Sequence, residues 1–129
     1  MSREEYNNLS REVIRCAIEV HKGLGPGLLE RVYEDALVWE MKNRNLEVKR
    51  QVPIEVRYKE LEIRDGYFAD VIVNDMLILE LKAIEHILPV HKAQLLSYLK
   101  LADMRLGLLV NFHVTKITDG ISRIINGNL

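Results

Sequence analysis

The segment "ADVIVNDMLILELK", residues 69–82, decides how the rest of the chain can fold. Two apolar runs flank the dipeptide Asn-Asp, a pattern that predicts a β-hairpin with a tight turn. The hairpin is apolar enough to lie in a core, yet it carries Asp70, Glu80 and Lys82. Charged groups in apolar surroundings cost several kcal/mol unless they are paired, hydrated or bound to a metal. These three residues are therefore candidates for a functional site.

The turn of this hairpin decides whether the two acids share one face of the sheet. With a two-residue loop at 74–75, the side chains of Asp70 and Glu80 point to opposite faces, which excludes a shared metal. With a three-residue loop at 73–75, whose last residue is left-handed, Asp70 lies diagonal to Glu80 on one face. Carboxylates on residues about 7 Å apart can hold one Mg²⁺ between them. We therefore expect the three-residue loop or an equivalent bulge.

Length and composition limit the class of protein. The 129 residues, 48% hydrophobic and 29% charged, predict a single domain that spans residues 1–129. The net charge of −1 excludes a strongly basic nucleic-acid wrapper, so an anionic partner must be held by a local patch.

The single cysteine, Cys16, excludes an internal disulfide and a cysteine-built metal site. Residues 1–10 contain no apolar signal region and no window is long and apolar enough to span a membrane, so we expect a cytoplasmic protein without membrane contact.

Hydrophobic spacing predicts helices on both sides of the hairpin. A first helix ends at "KGLGPG". A second, at about residues 28–43, is expected to bury Leu29, Val32, Tyr33, Ala36, Leu37 and Met41. The remaining segments are predicted to be four strands, a third helix and a short edge strand. They are "EVKRQVPIEVRY", "LEIRDGYFADVIV", "MLILELK" and "RLGLLVNFHV" for the strands, "EHILPVHKAQLLSYLKLA" for the helix and "GISRIING" for the edge strand. This order predicts an α/β fold with a mixed β-sheet flanked by helices.

Two helices offer further polar side chains to a site. Glu30, Tyr33 and Glu34 fall at i, i+3 and i+4, so one face of the second helix carries two acids and a phenol. Glu30 can thus reach a shared site, or it can simply complement the dipole of the first helical turn. Gln94 and Tyr98 lie one turn apart on the third helix. Facing inward they would hydrogen-bond phosphate, sugar or metal-bound water, and facing outward they would be ordinary surface residues.

Three segments occur together in an order that matches a known family. They are "GLLERVY" at 27–33, "FADVIVNDMLILELK" at 68–82 and "HKAQLLSYL" at 91–99. With them the chain resembles, over nearly its whole length, the GxxExxY family, a branch of the PD-(D/E)XK nuclease superfamily. This resemblance implies a restriction-endonuclease-like fold whose central hairpin bears the acids and the lysine.

The resemblance also implies roles for individual residues. The metal ligands would be Glu30, Asp70 and Glu80. The catalytic residues would be Asp70, Glu80, Lys82, Gln94 and Tyr98. The cofactor would be Mg²⁺ or Mn²⁺, and the substrate would be DNA or RNA.

Two hypotheses of function follow. The protein is either a metal-dependent nuclease that hydrolyses phosphodiester bonds, or a non-catalytic nuclease-fold module that binds or regulates. The retained acids and lysine favour the nuclease. The near-neutral charge favours the module, or a partner that supplies affinity, because nonspecific binding depends on several lysine or arginine contacts to phosphate. A homodimer or a complex with another protein is a further expectation.

Overall fold

The computed structural model describes residues 1–129 as one five-stranded sheet with three helices. The helices are α1 (Arg3–Leu24), α2 (Glu30–Asn43) and α3 (Pro89–Ala102). The strands are β1 (Val48–Tyr58), β2 (Leu61–Val73), β3 (Leu77–Lys82), β4 (Leu106–Asn111) and β5 (Ile121–Ile125), and a short 3-10 helix at Ile117–Gly120 precedes β5. The predicted order of elements is confirmed, including the edge strand.

The sheet is mixed, as predicted. Its strand order is β1-β2-β3-β4-β5, and every neighbouring pair is antiparallel except β3 and β4, which are parallel. The parallel pair needs a crossover, and α3 provides it between the two strands. None of the three helices is long and apolar enough to cross a membrane.

Two hydrophobic cores lie on opposite faces of the sheet. The larger packs α1 and α2 against residues such as Leu79 and Leu108, and the smaller packs α3 against residues such as Ile78 and Leu109. Because strand residues alternate between faces, Glu80 follows Ile78 onto the side of the sheet that α3 covers. The hairpin acids therefore lie where α3 meets the sheet.

The start of α2 differs from the sequence-based prediction. Leu29 and Val32 were expected to be buried, but they are 77% and 40% exposed. The helix begins at Glu30, so Leu29 lies before it and Val32 faces solvent. The predicted burial of Tyr33, Leu37 and Met41 is confirmed, since all three are fully buried on the face of α2 that packs on the sheet.

Tyr33 fixes the turn between α1 and α2. Its ring stacks on Phe112, with the ring centroids 4.4 Å apart. Its hydroxyl donates a hydrogen bond to the carbonyl of Gly25 at 2.5 Å and accepts one from the backbone N–H of Leu28 at 3.1 Å. These contacts hold the turn that precedes Glu30, so they determine where α2 begins.

The hairpin loop has the predicted length but a different position. Val73 pairs with Leu77, so the loop is Asn74–Met76 rather than residues 73–75. Asn74 and Asp75 are both left-handed, with φ of 52° and 53°. The difference arises because the backbone and side chain of Asn74 both hydrogen-bond to Glu47, which holds Asn74 in the turn and leaves Val73 in the strand. In this register Asp70 lies directly opposite Glu80, rather than diagonal to it.

Candidate active site

The backbone pairing of β2 with β3 ends where the two acids lie. Backbone pairing between β2 and β3 reaches only to Val71 and Leu79. One residue further along, the backbone N–H of Asp70 donates to Glu80 Oε1 at 3.1 Å, and the N–H of Leu81 donates to Asp70 Oδ2 at 2.9 Å. Each carboxylate therefore takes the place of a carbonyl of the ladder. The two acids are held close together by the backbone of the opposite strand.

Glu80 is the more buried acid, with only 7% of its surface exposed. Burial, and then the negative charge of Asp70, raise the pKa of Glu80 to about 8. The N–H of Asp70 and the positive charge of Lys82 act in the opposite direction. Near neutral pH the pair thus retains a proton, because two adjacent carboxylates cannot both ionise without a compensating cation.

The donor set of this pair fits a hard divalent cation. Mg²⁺ takes oxygen ligands, and in proteins it is usually bound by one or two carboxylates, with waters and substrate phosphates completing the shell. No group of three or more His, Cys, Asp and Glu side chains lies close enough to hold a metal. The chain therefore offers two carboxylates, and water or substrate would supply the other ligands.

Glu30 lies near this pair without joining it. It is exposed at the first turn of α2, and its carboxylate forms no ion pair. Partial burial, followed by the charge of Asp70, raises the pKa of Glu30, whereas the charge of Lys82 lowers it. Glu30 therefore experiences the charges of the hairpin, and its role as a third metal ligand stays a prediction.

Lys82 is half-buried at the end of β3, two residues after Glu80. Its ammonium forms no ion pair, although its charge lowers the pKa of both Glu30 and Glu80. The chain that follows Lys82 is held by the buried amide of Asn111, which accepts from the N–H of Ile84 at 3.1 Å and donates to its carbonyl at 2.9 Å. A lysine free of other partners thus lies beside two carboxylates.

The two α3 residues differ in their placement. Tyr98 is buried and packs against the hairpin, in one core with Ala69 and Ile78. Burial, and then the charges of Glu80, Tyr67 and Asp70, raise the pKa of its hydroxyl to about 12. Gln94 is exposed one turn earlier and forms no hydrogen bond to the acids. The inward orientation therefore holds for Tyr98, and a substrate contact by Gln94 stays a prediction.

A model of the PD-(D/E)XK nuclease superfamily matches residues 7–124. The chain belongs to this superfamily. The matched residues include the opened hairpin and both helices beside it, so the predicted restriction-endonuclease-like fold is confirmed. No curated protein and no solved structure gives a significant match. Membership of the PD-(D/E)XK superfamily indicates a nuclease-type function, and nucleases of this superfamily typically use divalent metals.

The sequence analysis missed one residue of this PD-(D/E)XK site, Gln51 on β1. Its Nε2 donates to Glu34 Oε1 at 2.9 Å and reaches Asp70 Oδ1 at 3.5 Å. Glu34 is itself buried, and its other oxygen accepts two hydrogen bonds from Arg50, at 3.0 and 2.8 Å. These contacts connect α2 to Asp70 through a single amide. Gln51 is the last of three consecutive polar residues, 49–51, so the pattern of residue types does not single it out.

The backbone of Gln51 is also unusual. Its φ of 47° is left-handed, although Gln51 lies within a strand, and this conformation costs a residue other than glycine roughly 1–3 kcal/mol. The β1–β2 pair is irregular at this point. On β2, the residues on either side of Asp70 pack on opposite faces of the sheet: Ala69 lies in the α3 core and Val71 in the α1 and α2 core. On a regular strand, residues two apart would share a face. The strained residue thus lies at the irregularity that contains Asp70.

Proposed function

We propose that this PD-(D/E)XK protein is a metal-dependent nuclease that hydrolyses phosphodiester bonds at the Asp70–Glu80 pair. The observation that carries the proposal is a pair of backbone hydrogen bonds, from the N–H of Asp70 to Glu80 and from the N–H of Leu81 to Asp70, which hold two carboxylates together in a partly buried position. Such a position is unfavourable for two negative charges and favourable for a divalent cation.

The side chains around the pair suggest a division of roles. A divalent cation, Mg²⁺ or Mn²⁺, would lower the pKa of a bound water and offset the charge of the phosphodiester. Lys82 would hydrogen-bond the attacking water or a phosphate oxygen, and its fixed positive charge would stabilise the negative charge of the transition state. Asp70 and Glu80 would be the metal ligands, and their orientation would come from the backbone of the opposite strand.

Three further residues have proposed roles around this centre. Glu30 would act as an additional ligand, directly or through water, from the start of α2. Tyr98 and Gln94 would position the substrate from α3. Glu30 and Gln94 are both exposed and line separate open cavities, so each is accessible to a ligand, which supports these assignments.

We further assign the chain to the GxxExxY branch of the superfamily. This assignment is supported by the spacing of Glu30 and Tyr33 in "GLLERVY", for which the structure offers a physical reason. Tyr33 anchors the turn before α2, and Glu30, three residues earlier, then lies within the field of Asp70 and Lys82. A single domain over residues 1–129, a cytoplasmic location and a homodimer or protein partner stay predictions.

The competing function is a binding or regulatory module without hydrolysis. It is favoured by the absence of a net positive charge. The 19 acids outnumber the 18 lysines and arginines, and six of the basic side chains form ion pairs with carboxylates. They are Arg15, Arg44, Lys49, Arg50, Arg57 and Arg64. Nonspecific affinity for phosphate would therefore be weak.

Cleavage assays on variants that each lack one lysine charge distinguish a nuclease from a binding module. Wild-type protein, Lys82→Met and the control Lys42→Met are incubated with single-stranded and double-stranded DNA and RNA, in Mg²⁺, Mn²⁺ or EDTA. Lys42 is exposed in the last turn of α2 and forms no ion pair. We expect metal-dependent cleavage by wild type and Lys42→Met, and a loss of about 100-fold or more in Lys82→Met. Absence of cleavage by wild type in either metal would favour the binding module.

A further inference from the structure

An open cleft of about 630 Å³ lies beside the candidate site, between α3 and the arm. The arm is the outer part of the β1–β2 hairpin, residues 53–68, in which the two strands pair only with each other. One side of the cleft is a stripe of α3 residues at helical spacing, and Tyr67 and Val56 of the arm form the other side. The volume is typical of a site for a small organic group.

Tyr67 gives the cleft an accessible aromatic surface. The residue is 42% exposed, and its ring centroid lies 5.1 Å from that of Tyr98 at an interplanar angle of 53°. Tyr98 is buried beneath, so it supports the ring of Tyr67 from the side of the core. An exposed ring held by a second ring is suited to stacking with another flat aromatic group.

The polar groups of the cleft suit a nucleotide. Gln94 and Ser97 contribute an amide and a hydroxyl from α3, which can donate to and accept from the edge of a base. Lys100 also lines the cleft, and its ammonium forms no ion pair, so it can neutralise a phosphate. The charge of the cleft is therefore complementary to an anionic ligand with an aromatic part.

Tyr98 lies between the cleft and the acidic pair. It lines the cleft, and it packs in the same core as Ala69, the residue before Asp70, and Ile78, two residues before Glu80. A strand with one phosphate at Asp70 and Glu80 would thus bring a neighbouring nucleotide towards Tyr67.

We propose that the cleft binds an unpaired base of the substrate strand, stacked on Tyr67, so that single-stranded nucleic acid or a single-stranded end is the preferred substrate. The inference rests on the proposed function for the identity of the strand that it holds. Bases of an intact duplex are stacked on each other and cannot offer their faces to Tyr67. Stacking also supplies affinity that does not depend on many phosphate contacts, which suits a chain with a net charge of −1.

Binding measured without metal tests this inference separately from hydrolysis. Fluorescence anisotropy in EDTA compares four labelled probes of equal length: single-stranded DNA, single-stranded RNA, duplex DNA and an abasic single strand that keeps the phosphates. The variants are Tyr67→Ala, Tyr67→Phe and the control Tyr58→Ala. Tyr58 is 62% exposed on the arm but does not line the cleft.

We expect wild type to bind single strands more tightly than the duplex or the abasic probe. Tyr67→Ala weakens single-strand binding about 5-fold or more, whereas Tyr67→Phe and Tyr58→Ala bind as wild type does. Tight binding of either DNA or RNA supports the inference, and the tighter of the two identifies the sugar.

Equal binding of single strand, duplex and abasic probe would overturn the inference, as would unchanged binding by Tyr67→Ala or no binding of any probe. If metal-dependent cleavage is observed in that case, the proposed nuclease function stands without the stacking site. Conversely, base-dependent binding that is lost in Tyr67→Ala, with no cleavage in Mg²⁺ or Mn²⁺, supports the cleft and rejects hydrolysis.

Discussion

Asp70 and Glu80 lie directly opposite each other across an opened hairpin, and the backbone N–H of Asp70 donates to Glu80 Oε1 at 3.1 Å. The acids therefore replace part of the strand ladder instead of pointing into solvent. In the protein without metal, one carboxyl group retains a proton near neutral pH, so the stability of the protein depends on pH.

Glu80 should make the metal-free protein less stable as the pH rises. Its pKa is about 8 in the folded protein against an ordinary value of 4.5, so the folded state binds the proton more tightly. The stabilisation is complete below pH 4.5 and is lost as the pH rises through about 8. Glu80→Gln should remove this part of the pH dependence and unfold less readily than wild type above pH 8, by an amount on the order of a few kcal/mol.

Chemical denaturation in EDTA across this pH range measures the effect. Glu60→Gln is the matched control, because Glu60 is exposed in the turn at the end of the arm. A Glu80→Gln variant with the same pH dependence as wild type would show that Glu80 ionises normally.

Gln51 should act as a positioning residue for Asp70. In Gln51→Asn the backbone can remain left-handed, which asparagine tolerates, but the shorter amide cannot bridge Glu34 and Asp70. We expect a change of about 1 kcal/mol or less in the free energy of unfolding and a fall of about 10-fold in apparent Mg²⁺ affinity. Titration of cleavage rate against Mg²⁺ concentration gives that affinity.

Asp65→Asn is the control for the Gln51 variant. Asp65 is also left-handed, with φ of 57°, but lies on the exposed arm. Its substitution should leave Mg²⁺ affinity unchanged. A purely structural role for Gln51 would instead lower stability and leave the metal dependence as in wild type.

Tyr33 should contribute to stability through its hydroxyl. Tyr33→Phe keeps the ring stacked on Phe112 but leaves the carbonyl of Gly25 and the N–H of Leu28 without their hydrogen bonds. We expect a loss of about 1–3 kcal/mol in the free energy of unfolding, measured by urea denaturation. Tyr58→Phe, at an exposed tyrosine with no hydrogen bond from its hydroxyl, should change it by less than about 0.5 kcal/mol. Equal stability of the two variants would contradict the anchoring role.

Much of the fold was predictable because its signals are local. The two apolar runs in residues 69–82 predicted the hairpin, and the charged residues within it indicated a site. The length of the loop was also predictable, since only an odd number of loop residues brings Asp70 and Glu80 to the same face. Helical spacing gave α1, α2 and α3 in the correct order.

The remaining features depend on contacts between distant residues. The loop begins at Asn74 rather than Val73 because Asn74 hydrogen-bonds to Glu47, the residue before β1. Gln51 reaches Glu34 and Asp70 through a left-handed backbone, which no local pattern of residue types indicates. The cleft at Tyr67 arises from the way the arm lies over α3, and spacing along one strand does not predict it.

The most direct test of the central claim, that Asp70 and Glu80 form a metal site, is titration calorimetry of Mn²⁺ into three proteins. They are wild type, the double variant Asp70→Asn/Glu80→Gln and the control Glu60→Gln. Measurements at neutral pH in two buffers of different ionisation enthalpy report protons released on binding. We predict binding by wild type and Glu60→Gln with release of the proton held by Glu80, and no binding by the double variant. Equal heats in all three proteins, or no binding by wild type, would contradict the claim.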